Sequence, residues 1–180
     1  MKKKVFALLS LTFLLAACAP PIAPNEMYAE TGVLLNIPKN NSLADKVQIE
    51  SVTVAEGAGG RADIGSVTPD SLREALANGL LLSGYLTRTG DDSSYRLDAH
   101  LVDIKQDFIG FDLSANTEIT YTLTKEKNGE VIYNETLSLP YTATMAEAWG
   151  GNVRLRLATA KAIRENIVHF IRTLSTQDMK

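Results

Sequence analysis

Between Tyr95 and Leu139 the chain repeats with a period of two, which commits it to a sheet with one apolar and one polar face. Tyr95, Leu97, Ala99 and Leu101 alternate with Arg96, Asp98 and His100. Leu113, Ala115, Thr117, Ile119, Tyr121 and Leu123 alternate with Ser114, Asn116, Glu118, Thr120 and Thr122, and a third run carries Val131, Tyr133, Leu137 and Leu139. Successive side chains of a strand point to opposite faces, so a slip of one residue would turn an apolar set towards water. That constraint sets the hairpin register. A two-residue loop at Asn128-Gly129 would put Leu123 opposite Asn134 and Ile119 opposite Ser138. A three-residue loop, Lys127-Asn128-Gly129, puts Leu123 opposite Tyr133, Ile119 opposite Leu137 and Thr117 opposite Leu139. The expected turn is therefore type I, with Gly129 in the left-handed conformation forming a bulge.

The flanking segments supply the other layer. From Lys46 to Glu56, Val47, Ile49, Val52 and Val54 predict a strand whose alternation changes phase near Ser51, as a bulge would make it. A helix over about 68–83 follows, with Thr68 as N-cap, Pro69 in the first helical position, Asp70 on the positive end of the dipole and Gly84 just past the C-terminus. Leu72, Ala75, Leu76, Gly79, Leu80 and Ser83 recur on its inner face. Over 153–174 a longer helix is predicted from the stripe Val153, Leu157, Ala160, Ile163, Ile167, Phe170, Ile171 and Leu174, with Arg154, Lys161, Glu165, His169 and Arg172 pointing elsewhere. The order βαβββα gives an α+β fold: an antiparallel-rich sheet of about four strands with two amphipathic helices packed on one face.

The N-terminus has a separate purpose. Lys2-Lys3-Lys4 precedes an apolar run from Val5 to Leu15, too short to span a bilayer, which needs ~20 residues. Leu15-Ala16-Ala17-Cys18 resembles the lipobox of bacterial lipoproteins, so residues 1–17 are expected to be a signal peptide and Cys18 the lipidated N-terminus. Cys18 is the chain's only cysteine, so no internal disulfide can staple the exported domain. The segment Ala19-Pro20-Pro21-Ile22-Ala23-Pro24-Asn25 reads as an extended Pro-rich tether over 18–44, ahead of a single domain over 45–176. Taking Lys2, Lys3 and Lys4 from the 18 basic residues leaves 15 against 21 acidic, a formal charge of -6 that argues against nucleic acid as a partner. By resemblance to the enteric sorting rule, Ala19 in place of Asp sends the lipoprotein to the outer membrane, facing the periplasm.

Taken together, the lipobox, the Pro-rich segment, the helix Thr68-Pro69-Asp70-Ser71-Leu72-Arg73-Glu74-Ala75-Leu76 ending in Ser83-Gly84-Tyr85, and the strand Tyr95-Arg96-Leu97-Asp98-Ala99 resemble small proteobacterial envelope lipoproteins. Two families stand nearest: the lipopolysaccharide-assembly lipoprotein and the auxiliary lipoproteins of lipid-transport ABC systems. The resemblance implies an accessory or binding subunit of an envelope lipid-transport or outer-membrane assembly system. Its partners would be the membrane, through the anchor, and an envelope protein or lipid. The competing reading is a structural or stress-related surface lipoprotein with no transport role.

Catalytic and cofactor signals are weak. Gly57-Ala58-Gly59-Gly60-Arg61-Ala62 fits G-x-G-x-x-[GA], but the helix starts too late and no Lys-Ser/Thr follows, so a loop is expected. Asp98 and His100 share a strand face with no partner cluster, as a solvated face would have them. The chain is therefore expected not to be an enzyme, and to carry no cofactor or metal beyond the covalent lipid on Cys18. Two connections are apolar where polar residues are usual: Phe108-Ile109-Gly110-Phe111, and the 141–151 segment that holds Trp149. Phe108, Ile109, Phe111 and Trp149 are the candidate contact surface.

Overall fold

The computed structural model describes residues 19–88 and 93–177. In chain order it contains α1 (Thr31–Leu35), β1 (Val47–Val54), α2 (Pro69–Leu82), β2 (Tyr95–Asp107), β3 (Leu113–Lys125), β4 (Val131–Ala143) and α3 (Gly151–Thr176). The four strands form one sheet in the order β1-β2-β3-β4. The α+β class stands, with a mixed sheet: β1 pairs parallel to β2, and the other two pairs are antiparallel. A parallel neighbour needs a long crossover, and α2 with its flanking loops supplies it.

α2 begins where the sequence places it. Thr68 Oγ1 accepts from the Ser71 amide at 3.1 Å, and Ser71 Oγ accepts from the Thr68 amide at 3.1 Å. Leu76 and Leu80 of α2 join Leu97 and Leu101 of β2, Ile119 and Tyr121 of β3, and Ile163, Ile167, Phe170 and Ile171 of α3 in one core. Both long helices therefore cover the same face of the sheet. Two details fix their seating. Asn166, fully buried on α3, donates from Nδ2 to the carbonyls of Thr117 (3.1 Å) and Leu137 (2.9 Å), pinning the helix to β3 and β4. A Cβ on Gly79 would lie 3.0 Å from both Ile167 Cγ2 and Ile171 Cδ1, so any side chain there would have to push these two aside at the α2–α3 crossing. Gly79→Leu should cost about 1–3 kcal/mol by overpacking this crossing. An unchanged urea midpoint would show that the two helices have room to part.

The register holds where apolar pairing demanded it: Leu123 faces Tyr133, Ile119 faces Leu137 and Thr117 faces Leu139. The turn itself differs in length. Lys125 and Glu130 close it, with the Lys125 amide donating to the Glu130 carbonyl at 2.8 Å, so the loop has four residues, 126–129. Gly129 is left-handed as expected (φ 71°), but the extra residue of the bulge is Ile132, between the pairs Leu123–Tyr133 and Thr124–Val131. The one-residue offset is absorbed inside β4, where a β-branched side chain can lie at the sheet edge. The bulge near Ser51 is present, with Glu50 as the unpaired residue. A second bulge, at Val102 in β2, had no warning because an apolar residue there continues the run.

The tether is corrected. Residues 19–43 are folded onto the domain: Ile22, Met27 and Leu43 are fully buried, and Leu34 and Ile37 nearly so. Proline forbids regular helix and central strand but not packing. Pro24 opens a 3₁₀ turn over Pro24–Glu26, α1 follows, and a second turn spans Asn41–Leu43. Asn40 ties the end of this segment down, donating from Nδ2 to the carbonyls of Leu174 (3.0 Å) and Gln177 (2.9 Å). Residues 19–44 thus belong to the folded unit that was expected to start at 45.

The stripe on α3 also needs amendment at its first turn. Val153 is exposed, and Arg154, read as pointing outward, is buried. Its Nη1 donates to the carbonyls of Ala148 (2.9 Å) and Trp149 (3.0 Å), holding the preceding loop against the helix start.

Candidate functional site

The bulged sheet brings three connections to one end of the molecule. The β2–β3 turn over 108–112 and the β4–α3 connection over 144–150 are neighbours because Leu113 pairs with Ala143 and the hydroxyls of Ser114 and Thr142 lie 2.7 Å apart. The 57–65 loop joins them: its Ile64 forms a small buried cluster with Leu113 at the start of β3 and Leu155 in the first turns of α3. Above that cluster sit all four residues of the candidate contact surface. Ile109 is 94 % exposed, Trp149 86 %, Phe111 80 % and Phe108 48 %. Val153, 59 % exposed, adjoins them at the start of α3. Single exposed apolar residues are ordinary, but several at one pole are not.

The tip is held firmly despite its exposure. Gly110, at φ 110°, lets the β2–β3 turn reverse between Ile109 and Phe111. The Arg61 guanidinium lies 4.6 Å from the centre of the Phe108 ring and is itself paired with Asp63 at 2.6 Å, which bridges the 57–65 loop to the turn. In the Trp149 connection, Glu147 accepts from the Thr144 amide (2.8 Å), from Lys161 Nζ (2.6 Å) and from the Tyr141 hydroxyl (2.9 Å). Lys161, and after it the Thr144 amide, hold the Glu147 carboxyl down at about 2, so above that pH it stays ionised and paired with Lys161 for as long as the ammonium is charged.

The described chain also starts at this end. The Ala19 amide donates to the Ala62 carbonyl at 3.0 Å, and the Ile22 amide to the Ser66 carbonyl at 2.8 Å. Arg156 of α3 grips the same stretch, donating to the carbonyls of Pro20 (2.7 Å) and Pro21 (2.9 Å) and forking onto Glu26 with contacts of 2.9 and 2.6 Å. Ala19, Pro20, Ile64, Val153 and Arg156 line a shallow pocket of about 330 Å³ beside the tip. Cys18 and the expected signal peptide over 1–17 lie outside the described residues.

The weaker candidates have structural partners. Asp98 accepts a hydrogen bond from Ser51, and His100 Nδ1 lies 2.7 Å from Thr53 Oγ1, both across the β1–β2 pair on the outer face. Among the described residues no group of three or more His, Cys, Asp or Glu is placed to hold a metal ion, and no helix is long and apolar enough to cross a membrane.

No protein-family model matches this chain, and no curated protein does. Solved structures do share its fold. Protein XCC0632 of Xanthomonas campestris, of the family DUF330, superposes with a TM-score of 0.58 at 13 % identity, covering 79 % of this chain and 92 % of its own. Protein CT253 of Chlamydia trachomatis gives 0.52 at 10 % identity, over 74 % of this chain and 97 % of its own. A minor lipoprotein of Acinetobacter baumannii gives 0.47 at 12 % identity, over 73 % and 92 %. The first two establish a fold found in other bacterial proteins.

Sequence reasoning found the four tip residues from their apolar character in connections. It missed Arg154, Arg156 and Glu26, which position the tip and the chain start. The signal for Glu26 was faint: a lone acidic residue just after three prolines, with its partner 130 residues away.

Proposed function

We propose that this chain is a lipid-anchored envelope lipoprotein. In this reading it acts as a non-catalytic accessory or binding subunit of a lipid-transport or outer-membrane assembly system, at the periplasmic face of the outer membrane. The observation that carries the reading is the coincidence of a lipobox ending at Cys18 with a rigid, exposed apolar tip. Large apolar side chains gathered at one exposed end cost solubility unless something covers them, so the chain carries a contact surface as well as an anchor. The one polar pair weighed for chemistry, Asp98 and His100, is engaged with Ser51 and Thr53 in cross-strand contacts, which supports binding over chemistry.

Two arms test this. Metabolic labelling with palmitate should mark the wild type and leave Cys18→Ser unlabelled and released from the membrane fraction, because stable attachment takes about two acyl chains. An unlabelled wild type would end the anchored reading. In a strain lacking the native gene, the wild type should restore resistance to large antibiotics that a sound outer membrane excludes, and Cys18→Ser should not. Equal resistance with and without the gene would favour the structural alternative.

A further inference from the structure

We propose that the apolar tip is a membrane-contacting surface: with Cys18 acylated, Phe108, Ile109, Phe111 and Trp149 enter the interface of the same bilayer that takes up the lipid. This rests on the anchored reading above and adds what the contact surface touches. The argument is one of position. A free tether would let the domain turn any face to the membrane, but residues 19–26 are bonded to the domain: Ala19 to Ala62, Ile22 to Ser66, and Pro20, Pro21 and Glu26 to Arg156. Consecutive Cα atoms are held about 3.8 Å apart. The anchor attaches one residue before Ala19, whose amide is bonded to Ala62 in the loop whose Arg61 lies over the Phe108 ring. Anchor and tip emerge at one pole, so the anchor brings the tip to the lipid.

The composition of the tip fits the interface. Tryptophan is enriched where headgroups meet acyl chains, and peripheral apolar faces sink roughly 5–10 Å into that boundary. Around the tip, Arg61 is neutralised by Asp63, and Asp107 and Asp112 flank the turn with acidic groups. With these charges paired or acidic, contact is driven by apolar burial and should be insensitive to salt and present on zwitterionic vesicles.

Trp149 is the chain's only tryptophan and reports on the tip alone. The purified lipidated protein is reconstituted into phosphatidylcholine vesicles after mass spectrometry of Cys18 confirms its acylation. Expected results are a blue-shifted emission, quenching by nitroxides carried on the lipid acyl chains, and loss of quenching by aqueous iodide, unchanged by added salt. In a Phe108→Ser/Ile109→Ser/Phe111→Ser variant, still vesicle-bound through its lipids, Trp149 should shift red and regain iodide access. A non-acylated Cys18 would fail the anchored reading itself. An acylated, vesicle-bound protein whose Trp149 stays open to iodide would overturn the tip proposal alone. Shielding from iodide without nitroxide quenching would overturn it too, and would assign the tip to a second copy or another protein. So would a triple variant with unaltered fluorescence.

Discussion

Arg156→Ala is expected to lower unfolding free energy by about 2–4 kcal/mol and to free residues 19–27 for rapid hydrogen exchange. The Arg156 guanidinium makes two contacts with Glu26 and donates to the carbonyls of Pro20, Pro21 and Ile64. Among the described residues no other side chain bonds the Pro20 and Pro21 carbonyls, and neither residue lies in a helix or strand, so this fork and the backbone bonds of Ala19 and Ile22 hold the start of the segment. The side chains are 20 % and 34 % exposed, which screens the ionic part and keeps the figure below that of a fully buried pair. Behind the clamp, Ile22 and Met27 are fully buried and would lose cover as the segment peels away. Arg156→Lys should recover only part of the loss, because an ammonium keeps the charge but not the planar fork.

The same pair predicts a pH dependence. Arg156 holds the Glu26 carboxyl below its usual 4.5, with burial opposing and the Ala23 amide assisting. A carboxyl whose folded value is depressed stabilises the fold fully above its unfolded value. That stabilisation is lost as pH falls from about 4.5 through the depressed folded value. The wild type should therefore lose stability over that window faster than Arg156→Ala, measured by urea unfolding at stepped pH. Parallel pH profiles, or unchanged exchange of the Ile22 amide in the variant, would show that the N-terminal segment is held by packing alone. Loss of the clamp would also turn a fixed anchor into a true tether, and the Trp149 signal in vesicles should weaken with it.

The strength of this clamp bears on what a sequence can display. Periodicity exposed β2, β3, β4, α2 and α3 because each buries one face along a regular element, and the registry of Ile119 with Leu137 followed from that alone. The parallel placement of β1 was not legible, since alternation says nothing about strand direction. Ile22, Met27, Leu34, Ile37 and Leu43 fill the core from single turns and the loops between them, too short to show a repeat. Prolines among them suggested an extended chain, and that inference failed because tertiary packing and one arginine outweigh local stiffness. The tip was legible for the opposite reason. Phe108, Ile109, Phe111 and Trp149 stand where turn chemistry predicts polar residues, and a violation of a local pattern is visible in a single sequence. Their shared pole with Ala19 was not visible, because it depends on how the bulges and the β4–α3 connection bring three loops together.

Phe170→Ala should cost about 3–5 kcal/mol, the largest loss expected from any single truncation in this domain. Phe170 is fully buried on α3, its ring stacked on Tyr121 of β3 with centroids 4.0 Å apart and planes 4° from parallel, and tilted against Tyr133 at 5.6 Å. Removing it opens a cavity between helix and sheet that neither tyrosine can fill without leaving its strand position. Burial pushes the Tyr121 hydroxyl well above its usual value, and that oxygen has no hydrogen-bond partner among the described residues. Tyr121→Phe therefore keeps the stack while deleting an unsatisfied polar atom, and should leave stability unchanged or raise it. The two substitutions separate stacking area from hydroxyl chemistry in one thermal or urea series. A Phe170→Ala loss below about 1.5 kcal/mol would mean that the α3–sheet interface collapses onto the void. A destabilised Tyr121→Phe would mean that the hydroxyl is bonded to water inside the core.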